Sequence, residues 1–498
     1  PPELRNLIFY TAQKLVERKL EKMQKKDKIV IIGAGLCGSL LALRFAQRGH
    51  KVAVYESRPD LRKTAVSAGR SINLALSDRG LKALRLCGLE AVAKEICIPM
   101  YGRLMHDAAG NTFASNYSGR DGEYINSISR GDLNGILLTE AEQHENVSLY
   151  FNKKCAHIDI VNRVAHFVDA ETDTDFTIEA DVIFGADGAG SSLRKSYVSE
   201  RNFLFSYSQN YLNHGYKELE IPADENGNHQ ISKGHLHIWP RGDFMLIALP
   251  NRDGSFTVTL FLSYNEGEFN FENLITEEKI TAFFEKEFPD ALALIPNIKE
   301  EFINNPTGPL GTIKCSPWSY QQNTLLIGDS SHAIVPFYGQ GMNASFEDVV
   351  VLDEILAQNT AHPSNGKLDW GVVFKAYEKA RKHDTDAIAD LALDNFHEMK
   401  KHVANPLFKE KRMIEMALEK TFPKQYASKY SLVTFNANIG YDEAMKRGRA
   451  QDKALLRLIA NNEISMTPSM TNEALELILY TVIKETNLLL EQDHSFEM

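Results

Sequence analysis

The chain has 498 residues, of which 43% are hydrophobic, and its formal net charge at pH 7 is −11. This length predicts two to three domains with ample apolar material for their cores. The acidic balance argues against a protein that follows nucleic-acid phosphates, so we expect no nucleic-acid partner.

The N-terminal residues 1–24 place leucine, isoleucine and methionine side chains at helical spacing, with lysine and glutamate between them. We interpret this segment as a surface helix packed on the main body, in preference to an anchor on a membrane surface. No apolar stretch approaches the roughly 18 uncharged residues of a membrane-spanning helix, so we predict no transmembrane segment. The five cysteines form no CxxC pair, which is typical of reduced core residues in an intracellular protein.

A glycine-rich turn follows the first predicted strand. The predicted elements around it are a strand at 28–33, a helix at 39–48 and a strand at 51–56. Gly33, Gly35 and Gly38 form a GxGxxG motif in the strand-to-helix context of a dinucleotide-binding turn. The N–H groups at the helix start can bind phosphate, and Glu56 can accept hydrogen bonds from a ribose. The motif leaves open whether the nucleotide is FAD or NAD(P).

The middle of the chain alternates between helical and strand-like stretches. Helical patterns occur near Arg79–Cys87 and Leu133–Gln143, and strand-like runs occupy 147–184 and 235–263. The second block of strands predicts an antiparallel sheet inserted between two α/β portions. From about Trp370 to the end, the pattern is almost entirely helical.

Two further turns join strands to polar residues. An apolar run leads to Asp187-Gly188, a pattern that by itself also fits a surface turn before a helix. A later strand ends in Gly328-Asp329, and Gly-Gln-Gly at 339–341 then opens a helix at 342–356. Asp329 can bind a ribityl hydroxyl, and the N–H groups of that helix start can stabilise an anionic ring edge.

The stretch from 324 to 348 also contains fragments of two other motifs. Asp329, Ser331 and His332 are sequence neighbours, whereas members of a hydrolase triad come from distant segments, and the chain has no GxSxG turn. The apparent GxGxxA at Gly339 lies a dozen residues beyond its strand, which is too far for a second Rossmann turn. We therefore interpret the stretch as one part of a larger nucleotide site.

The GxGxxG, Asp-Gly and Gly-Asp motifs in this order resemble those of the class A flavoprotein aromatic hydroxylases, which have the para-hydroxybenzoate hydroxylase fold. The resemblance implies an α/β protein: a Rossmann-like FAD-binding domain, an antiparallel-sheet substrate domain and a helical C-terminal region. The predicted segments are an N-terminal helix (1–27), the first part of the FAD-binding domain (28–200), a mostly β substrate domain (201–305), the last part of the FAD-binding domain (306–370) and the helical region (371–498), which contributes to the substrate site.

Four longer phrases are similar to the kynurenine 3-monooxygenase family in particular. They are "GRSINLALSDRGLKAL", "YINSISRGDLN", "HLHIWPRGDFMLIALP" and "HAIVPFYGQGMNASFED". The resemblance, which runs from about residue 28 to about residue 436, implies hydroxylation of L-kynurenine to 3-hydroxy-L-kynurenine with NADPH and O2. The oxygen would pass through a hydroperoxide at flavin C4a, with FAD held tightly but non-covalently and NADPH as a transient co-substrate.

The family's site residues fall on definite positions of this sequence. The cofactor set is Gly33, Gly35, Gly38, Glu56, Arg58, Ala75, Arg130, Asp187, Asp329, Gly341, Met342 and Asn343. The substrate set is Arg103, Tyr117, Asn395 and Tyr430. The groups expected nearest the chemistry are Tyr430, Pro336 and Phe337. Tyr338 departs from the family's Pro-Phe-x-Gly-Gln-Gly motif, a change that we expect to be tolerated.

Several alternatives remain at this point. Arg103 taken alone fits a surface loop, and Asn395 and Tyr430 fit the half-buried face of a helix. The chain could be another class A hydroxylase acting on a salicylate- or phenol-like substrate, or a flavin-binding module that does not oxygenate. His235, His237, His397 and His402 lack the spacing of a metal site, and we predict no metal. The family's eukaryotic members carry a hydrophobic C-terminal membrane anchor, and this sequence shows no such segment. We therefore expect a cytoplasmic protein of the bacterial type, or a form without that anchor.

Overall fold

The computed structural model describes residues 27–63, 73–360, 368–401, 406–467 and 470–494. The helix predicted for the N-terminus therefore falls outside the described residues, apart from residue 27. The described part of the chain combines two large sheets with a helical C-terminal region, which confirms the predicted fold class. None of its helices is long and apolar enough to cross a membrane.

A six-stranded, mainly parallel sheet forms the first core. Its strands lie in the spatial order Ser319–Tyr320, Thr324–Leu326, Val182–Gly185, Lys28–Ile32, Lys51–Tyr55 and Val147–Tyr150. The pair at the first edge is antiparallel and the other pairs are parallel. The strand Lys28–Ile32 is buried along almost its whole length because the sheet is covered on both faces, which is why this strand reads as a continuous apolar run.

A seven-stranded sheet forms the second core. Its strands lie in the order Thr307–Ser316, Ser206–Ile221, Phe256–Ser263, Phe244–Pro250, His235–Arg241, Gly102–His106 and Thr112–Asn116. All neighbours are antiparallel except Gly102–His106, which runs parallel to His235–Arg241. This sheet takes strands from both sides of the segment 201–305, whose limits stay a prediction from the sequence.

Helices cover both sheets. Around the parallel sheet they are Leu36–Gln47, Asp78–Leu86, Glu90–Glu95, Arg130–Glu142, Ser192–Ser199, Asp329–His332 and Gly341–Thr360. One face of the seven-stranded sheet packs on Glu277–Glu287, Pro289–Leu292 and Ile298–Asn304. The other face meets the C-terminal region, which contains Trp370–Lys401, Pro406–Thr421, Lys429–Thr434, Tyr441–Ala460 and Asn472–His494. From Trp370 onward the described elements are all helices, as the periodicity predicts.

Two three-stranded sheets complete the fold. One is built from Thr174–Glu179, Val164–Asp169 and Lys153–Asp159, and the other from Asn73–Leu76, Ile125–Ser129 and Ile98–Met100. The second of these small sheets carries the segment around Ala75 toward the helix start at Gly341.

The first glycine turn differs slightly from its prediction. The helix begins at Leu36 instead of Ser39, because Gly35 already has the extended backbone of an N-cap. The strand before it ends at Ile32, since Gly33 has a φ of +100° and cannot continue the pleat. The turn is therefore tighter than the hydrophobic pattern suggests.

Candidate active site

A cavity of about 880 Å³ is lined by residues of both large sheets and of the C-terminal helices. We call one part the glycine end, defined by Gly33, Gly35, Glu56, Asp187 and Asp329. We call the other part the tyrosine end, defined by Met100, Tyr117, Tyr338 and Tyr430. The two ends belong to one continuous space, so a molecule bound at one end can reach a molecule bound at the other.

The glycine turn is shaped by close backbone contacts. A Cβ atom at Gly38 would stand 2.0 Å from the carbonyl oxygen of Gly33, which explains why helix and strand can approach only through glycine. A Cβ atom at Gly33 would stand 2.6 Å from the carbonyl oxygen of Ala186. At Gly35, by contrast, no atom lies within 4 Å of the Cβ position, so the bare backbone leaves free space beside the cavity.

Two carboxylates at the glycine end offer acceptors. Glu56 accepts the Ala34 N–H at 2.8 Å and the Arg58 side chain at 2.9 Å. Burial raises the pKa of Glu56, but Arg58 and the N–H donors outweigh it and hold that pKa below its usual value. Asp187 accepts the Ser192 N–H at 2.6 Å, while its Oδ1 is buried without a partner among the described residues.

Asp329 lies at the carboxyl end of the strand Thr324–Leu326 and lines the cavity. Burial raises its pKa, and the positive charge of Arg130 opposes that effect. Its Oδ1 accepts a long hydrogen bond of 3.4 Å from Ser345. Most of the acceptor capacity of this carboxyl group therefore remains open toward the cavity.

The glycine end fits an adenine dinucleotide. Such a molecule needs backbone N–H groups for its pyrophosphate and carboxylates for its ribose or ribityl hydroxyls. The free space at Gly35 and the unpartnered oxygen of Asp187 are groups of the right kind, and Arg58, Arg130 and Met342 line the same space.

Asn343 is fully engaged within the protein. Its Nδ2 donates to the carbonyl oxygens of Ala75 at 2.8 Å and Gly339 at 2.9 Å, and its Oδ1 accepts the Ser77 N–H at 3.0 Å. The side chain thus joins the Ala75 strand to the turn before the helix Gly341–Thr360. Ala75, Gly339 and Gly341 all line the cavity, so Asn343 sets the shape of its wall.

Arg103 lies against the tyrosine end. Its guanidinium carbon is 4.6 Å from the ring centre of Tyr430 and 5.3 Å from that of Tyr117. Burial alone would lower the pKa of Arg103, but the phenol oxygens of Tyr430, Tyr117 and Tyr338 raise it, so the guanidinium stays charged. No carboxylate of the described ranges forms an ion pair with it, and even a partly buried cation without an anion is costly. The arrangement therefore suits an anionic group that arrives with a ligand.

Three tyrosine rings stack beside this cation. The ring centres of Tyr117 and Tyr430 are 5.7 Å apart with planes inclined by 9°, and those of Tyr338 and Tyr430 are 5.6 Å apart with planes inclined by 19°. The hydroxyl of Tyr117 is buried, and no described residue bonds to it. The tyrosine end thus combines one positive charge with a buried hydroxyl, that of Tyr117, which has no partner among the described residues.

The turn Pro336–Tyr338 is held from the C-terminal side. Asn395 donates its Nδ2 to the carbonyl oxygen of Phe337 at 2.6 Å. The ring centre of Phe337 is 5.0 Å from that of Phe261 and 4.5 Å from that of Phe396. The Phe337 ring therefore packs against these aromatic rings, whereas Pro336 lines the cavity. Asn395 and Phe337 therefore lie behind the wall that Pro336 and Tyr338 form.

A buried ion network anchors the helix that carries Tyr430. The side chain of Arg79 is 1% exposed and donates to the carbonyl oxygens of Val433 at 3.1 Å and Ile439 at 2.8 Å. It also pairs with Glu347 at 2.5 Å, and Glu347 pairs in turn with Arg381 at 2.7 Å. Because Glu347 lies on the helix Gly341–Thr360, one helix supports both ends of the cavity.

The serines and His332 of the same stretch are part of the framework. His332 pairs with Asp348 at 2.6 Å, and Ser331 donates to the carbonyl oxygen of Gly328 at 2.8 Å. Neither contact joins a serine to the histidine, which agrees with the rejection of a hydrolase triad. Within the described ranges, no group of three His, Cys, Asp or Glu side chains is arranged to hold a metal ion.

The apolar lining of the tyrosine end was not identified from the sequence. It comes from the seven-stranded sheet and includes Leu236, Ile247, Leu249 and Phe261. Their strand neighbours Leu246 and Ala248 face the opposite core. Since residues on both faces are apolar, no polar position marks which face meets a ligand.

Comparison with protein families gives a match over most of the chain. Residues 26–383 match the family described as FAD binding domain. Kynurenine 3-monooxygenase of Myxococcus xanthus is 45% identical over 428 residues, which cover 86% of this chain and 90% of that protein. The enzyme of the same name from Flavobacterium johnsoniae is 43% identical and covers 92% and 100%. That from Dictyostelium discoideum is 43% identical and covers 87% and 94%.

Solved structures support the fold. The tetrameric form of 2-methyl-3-hydroxypyridine-5-carboxylic acid oxygenase aligns with a TM-score of 0.60 at 19% identity, covering 80% of this chain and 96% of that one. PqsL of Pseudomonas aeruginosa, in complex with 2-aminobenzoylacetate, aligns with a TM-score of 0.59 at 17% identity, covering 76% and 97%. At these identities the likeness concerns the arrangement of the chain alone.

Proposed function

The chain belongs to the kynurenine 3-monooxygenase family, and we propose that it uses NADPH and O2 to hydroxylate L-kynurenine to 3-hydroxy-L-kynurenine. It is an FAD-dependent monooxygenase. The observation that carries the proposal is a single cavity that joins the glycine turn and its carboxylates to a tyrosine-lined end, where Arg103 lies over the ring of Tyr430.

At the glycine end, the chain would hold FAD through the turn at Gly33–Gly38 and through the carboxylates of Glu56, Asp187 and Asp329. When bound, FAD would supply the group that accepts electrons from NADPH and activates O2. Gly341 and Met342 line the same cavity and would help to hold the cofactor in one orientation.

At the tyrosine end, Arg103 would pair with the carboxylate of the amino-acid tail, and Tyr117 and Tyr430 would donate to its remaining lone pairs. The aromatic ring would then lie beside Pro336, whose turn is fixed by Asn395 through the Phe337 carbonyl. Apolar side chains such as Leu249 and Phe261 exclude water from the reacting ring. The protein itself thus contributes the orientation of the substrate ring and the exclusion of water from it.

The proposal is tested by measuring NADPH oxidation by the purified flavoprotein with and without L-kynurenine, and by identifying the product. We expect kynurenine to stimulate oxidation and one 3-hydroxykynurenine to form per NADPH consumed. Stimulation by salicylate or a simple phenol but not by kynurenine would point to another class A hydroxylase. If none of these compounds stimulated NADPH oxidation, the result would favour a flavin-binding protein that does not oxygenate.

A further inference from the structure

Tyr338 occupies the variable position of the Pro-Phe-x-Gly-Gln-Gly motif, and the structure places it in the wall of the cavity. Its side chain is 6% exposed, and none of the described residues forms a hydrogen bond with its hydroxyl. Without a partner in the described part of the protein, this hydroxyl bonds to water or to a ligand in the cavity. Its position in the cavity wall allows a ligand to supply the missing partner.

The neighbours of Tyr338 define what that ligand group must be. The ring stacks on Tyr430, which in turn stacks on Tyr117 and lies under the Arg103 guanidinium. The charge of Arg103 acts on the hydroxyl of Tyr338 as it does on those of Tyr117 and Tyr430. Three phenols therefore surround one cation that has no carboxylate partner in the described part of the protein.

We propose that the hydroxyl of Tyr338 is a third phenol donor to the carboxylate of the amino-acid substrate, alongside Tyr117 and Tyr430. This inference rests on the proposed function, because it assigns a role in binding the same substrate. A carboxylate has about four lone-pair sites, of which a guanidinium that donates through one N–H group fills one. The phenols supply donors for the remaining sites.

The protonation state of the phenols agrees with this role. Burial raises the pKa of Tyr338 well above its usual value, and the nearby negative charges of Glu398 and Asp452 raise it further. The pKa values of Tyr117 and Tyr430 are also raised, with burial as the main cause. All three groups are therefore neutral donors near pH 7, and the tyrosine end carries one net positive charge suited to one carboxylate.

The test is the substitution Tyr338→Phe in the FAD-loaded enzyme, since phenylalanine keeps the ring and removes only the hydroxyl. We expect the KM for L-kynurenine to rise about tenfold, as a lost hydrogen bond to a charged group predicts, with kcat changed much less. The FAD content and melting temperature should equal those of the unmodified enzyme. An unchanged KM would overturn the proposal.

The matched control is Tyr426→Phe. Tyr426 is also a buried tyrosine whose hydroxyl has no described partner, but it packs in a separate cluster of the C-terminal helices, away from the cavity. This variant should keep the KM of the unmodified enzyme. A rise equal to that of Tyr338→Phe would mean that loss of any buried hydroxyl disturbs the site, which would contradict the proposal.

A substrate analogue identifies the group that Tyr338 contacts. The amine in which hydrogen replaces the carboxylate of L-kynurenine should bind the unmodified enzyme and the Tyr338→Phe variant equally weakly. An equal weakening of both ligands by Tyr338→Phe would show that the hydroxyl contacts another part of the substrate, and the carboxylate assignment would be wrong. Failure of the unmodified enzyme to hydroxylate L-kynurenine would instead contradict the proposed function itself.

Discussion

The glycine end and the tyrosine end of the cavity differ in how their residues lie along the chain. At the glycine end, Gly33, Gly35 and Gly38 act within one turn, and their contacts are backbone contacts. At the tyrosine end, the four residues Arg103, Tyr117, Tyr338 and Tyr430 come respectively from a strand, the bend after the next strand, a short turn and a C-terminal helix. A site built from the backbone of one turn can thus be recognised in a short stretch of sequence. A site built from side chains is assembled from distant parts of the chain.

The same difference appears in charge. The carboxylates of Asp187 and Asp329 line the glycine end, while the tyrosine end holds the cation of Arg103. In each case the charged group has few partners inside the protein, which makes it costly without a ligand. Substitutions at the two ends should therefore affect different ligands, and three predictions separate them.

The largest effect is expected for Gly38→Ala. A Cβ atom 2.0 Å from the Gly33 carbonyl oxygen forces helix and strand apart. Overpacking costs about 1–3 kcal/mol even where side chains can move, and here the obstacle is backbone. We expect the protein to be purified without FAD, as measured by its visible absorbance.

The control for this change is Gly135→Ala. Gly135 lies within the helix Arg130–Glu142, and a Cβ atom there would be 3.8 Å from the Arg62 Cγ, an ordinary contact. This variant should retain FAD, because alanine favours helix. Normal FAD content in Gly38→Ala would show that the glycine end does not depend on this close approach.

A smaller effect that leaves the cofactor in place is expected for Arg103→Ala. Loss of a charge-assisted pair worth about 1.5–3 kcal/mol should weaken kynurenine about ten- to a hundred-fold. FAD should remain bound, since Arg103 lies at the other end of the cavity. Spectral titration with kynurenine measures the first effect and flavin absorbance the second. Loss of FAD would assign Arg103 to the cofactor site and break the distinction between the ends.

The smallest effect is expected for Asp329→Asn, which should reduce FAD affinity about tenfold through the loss of a charged acceptor. In the FAD-free protein, the same change should increase folding stability. Burial raises the pKa of Asp329, so the folded chain binds this proton more tightly than the unfolded chain. Stability then falls as pH rises from the usual aspartate pKa through the raised one, and asparagine removes this part of the loss.

Melting temperatures of the FAD-free proteins from about pH 4 to about pH 8 test this prediction, because the window begins near the aspartate pKa of about 3.9. The gain for Asp329→Asn should grow toward the alkaline side. A gain in melting temperature that does not change with pH would show that the pKa of Asp329 is not raised in the folded protein, which would contradict this prediction.

Sequence alone identified the glycine end more completely than the tyrosine end. The GxGxxG spacing, Glu56 and the Gly328-Asp329 strand end followed from backbone requirements. Arg103 and Asn395 were reached only through family resemblance, because a single arginine or asparagine carries no mark of its surroundings.

The lining of the tyrosine end could not be predicted for a different reason. The strand Phe244–Pro250 is apolar on both faces, because one face meets a hydrophobic core and the other meets the cavity. Its sequence therefore lacks the alternation that distinguishes an inner face from an outer one. The strand Gly102–His106 lies within the segment 28–200 that was predicted as the first part of the FAD-binding domain, yet it pairs in parallel with His235–Arg241 of the seven-stranded sheet.

The helix Gly341–Thr360 has a consequence for the exchange of parts between related enzymes. Its first turn forms the cofactor wall, and its Glu347 holds Arg79, which binds the carbonyl oxygens beyond Tyr430. A chimera that replaced the C-terminal helices to alter substrate choice would leave Arg79 buried with unmatched donors unless the new segment returned its carbonyl groups to the same places. Substrate recognition in this fold can therefore be transplanted only with a segment that keeps backbone carbonyl oxygens within reach of Arg79.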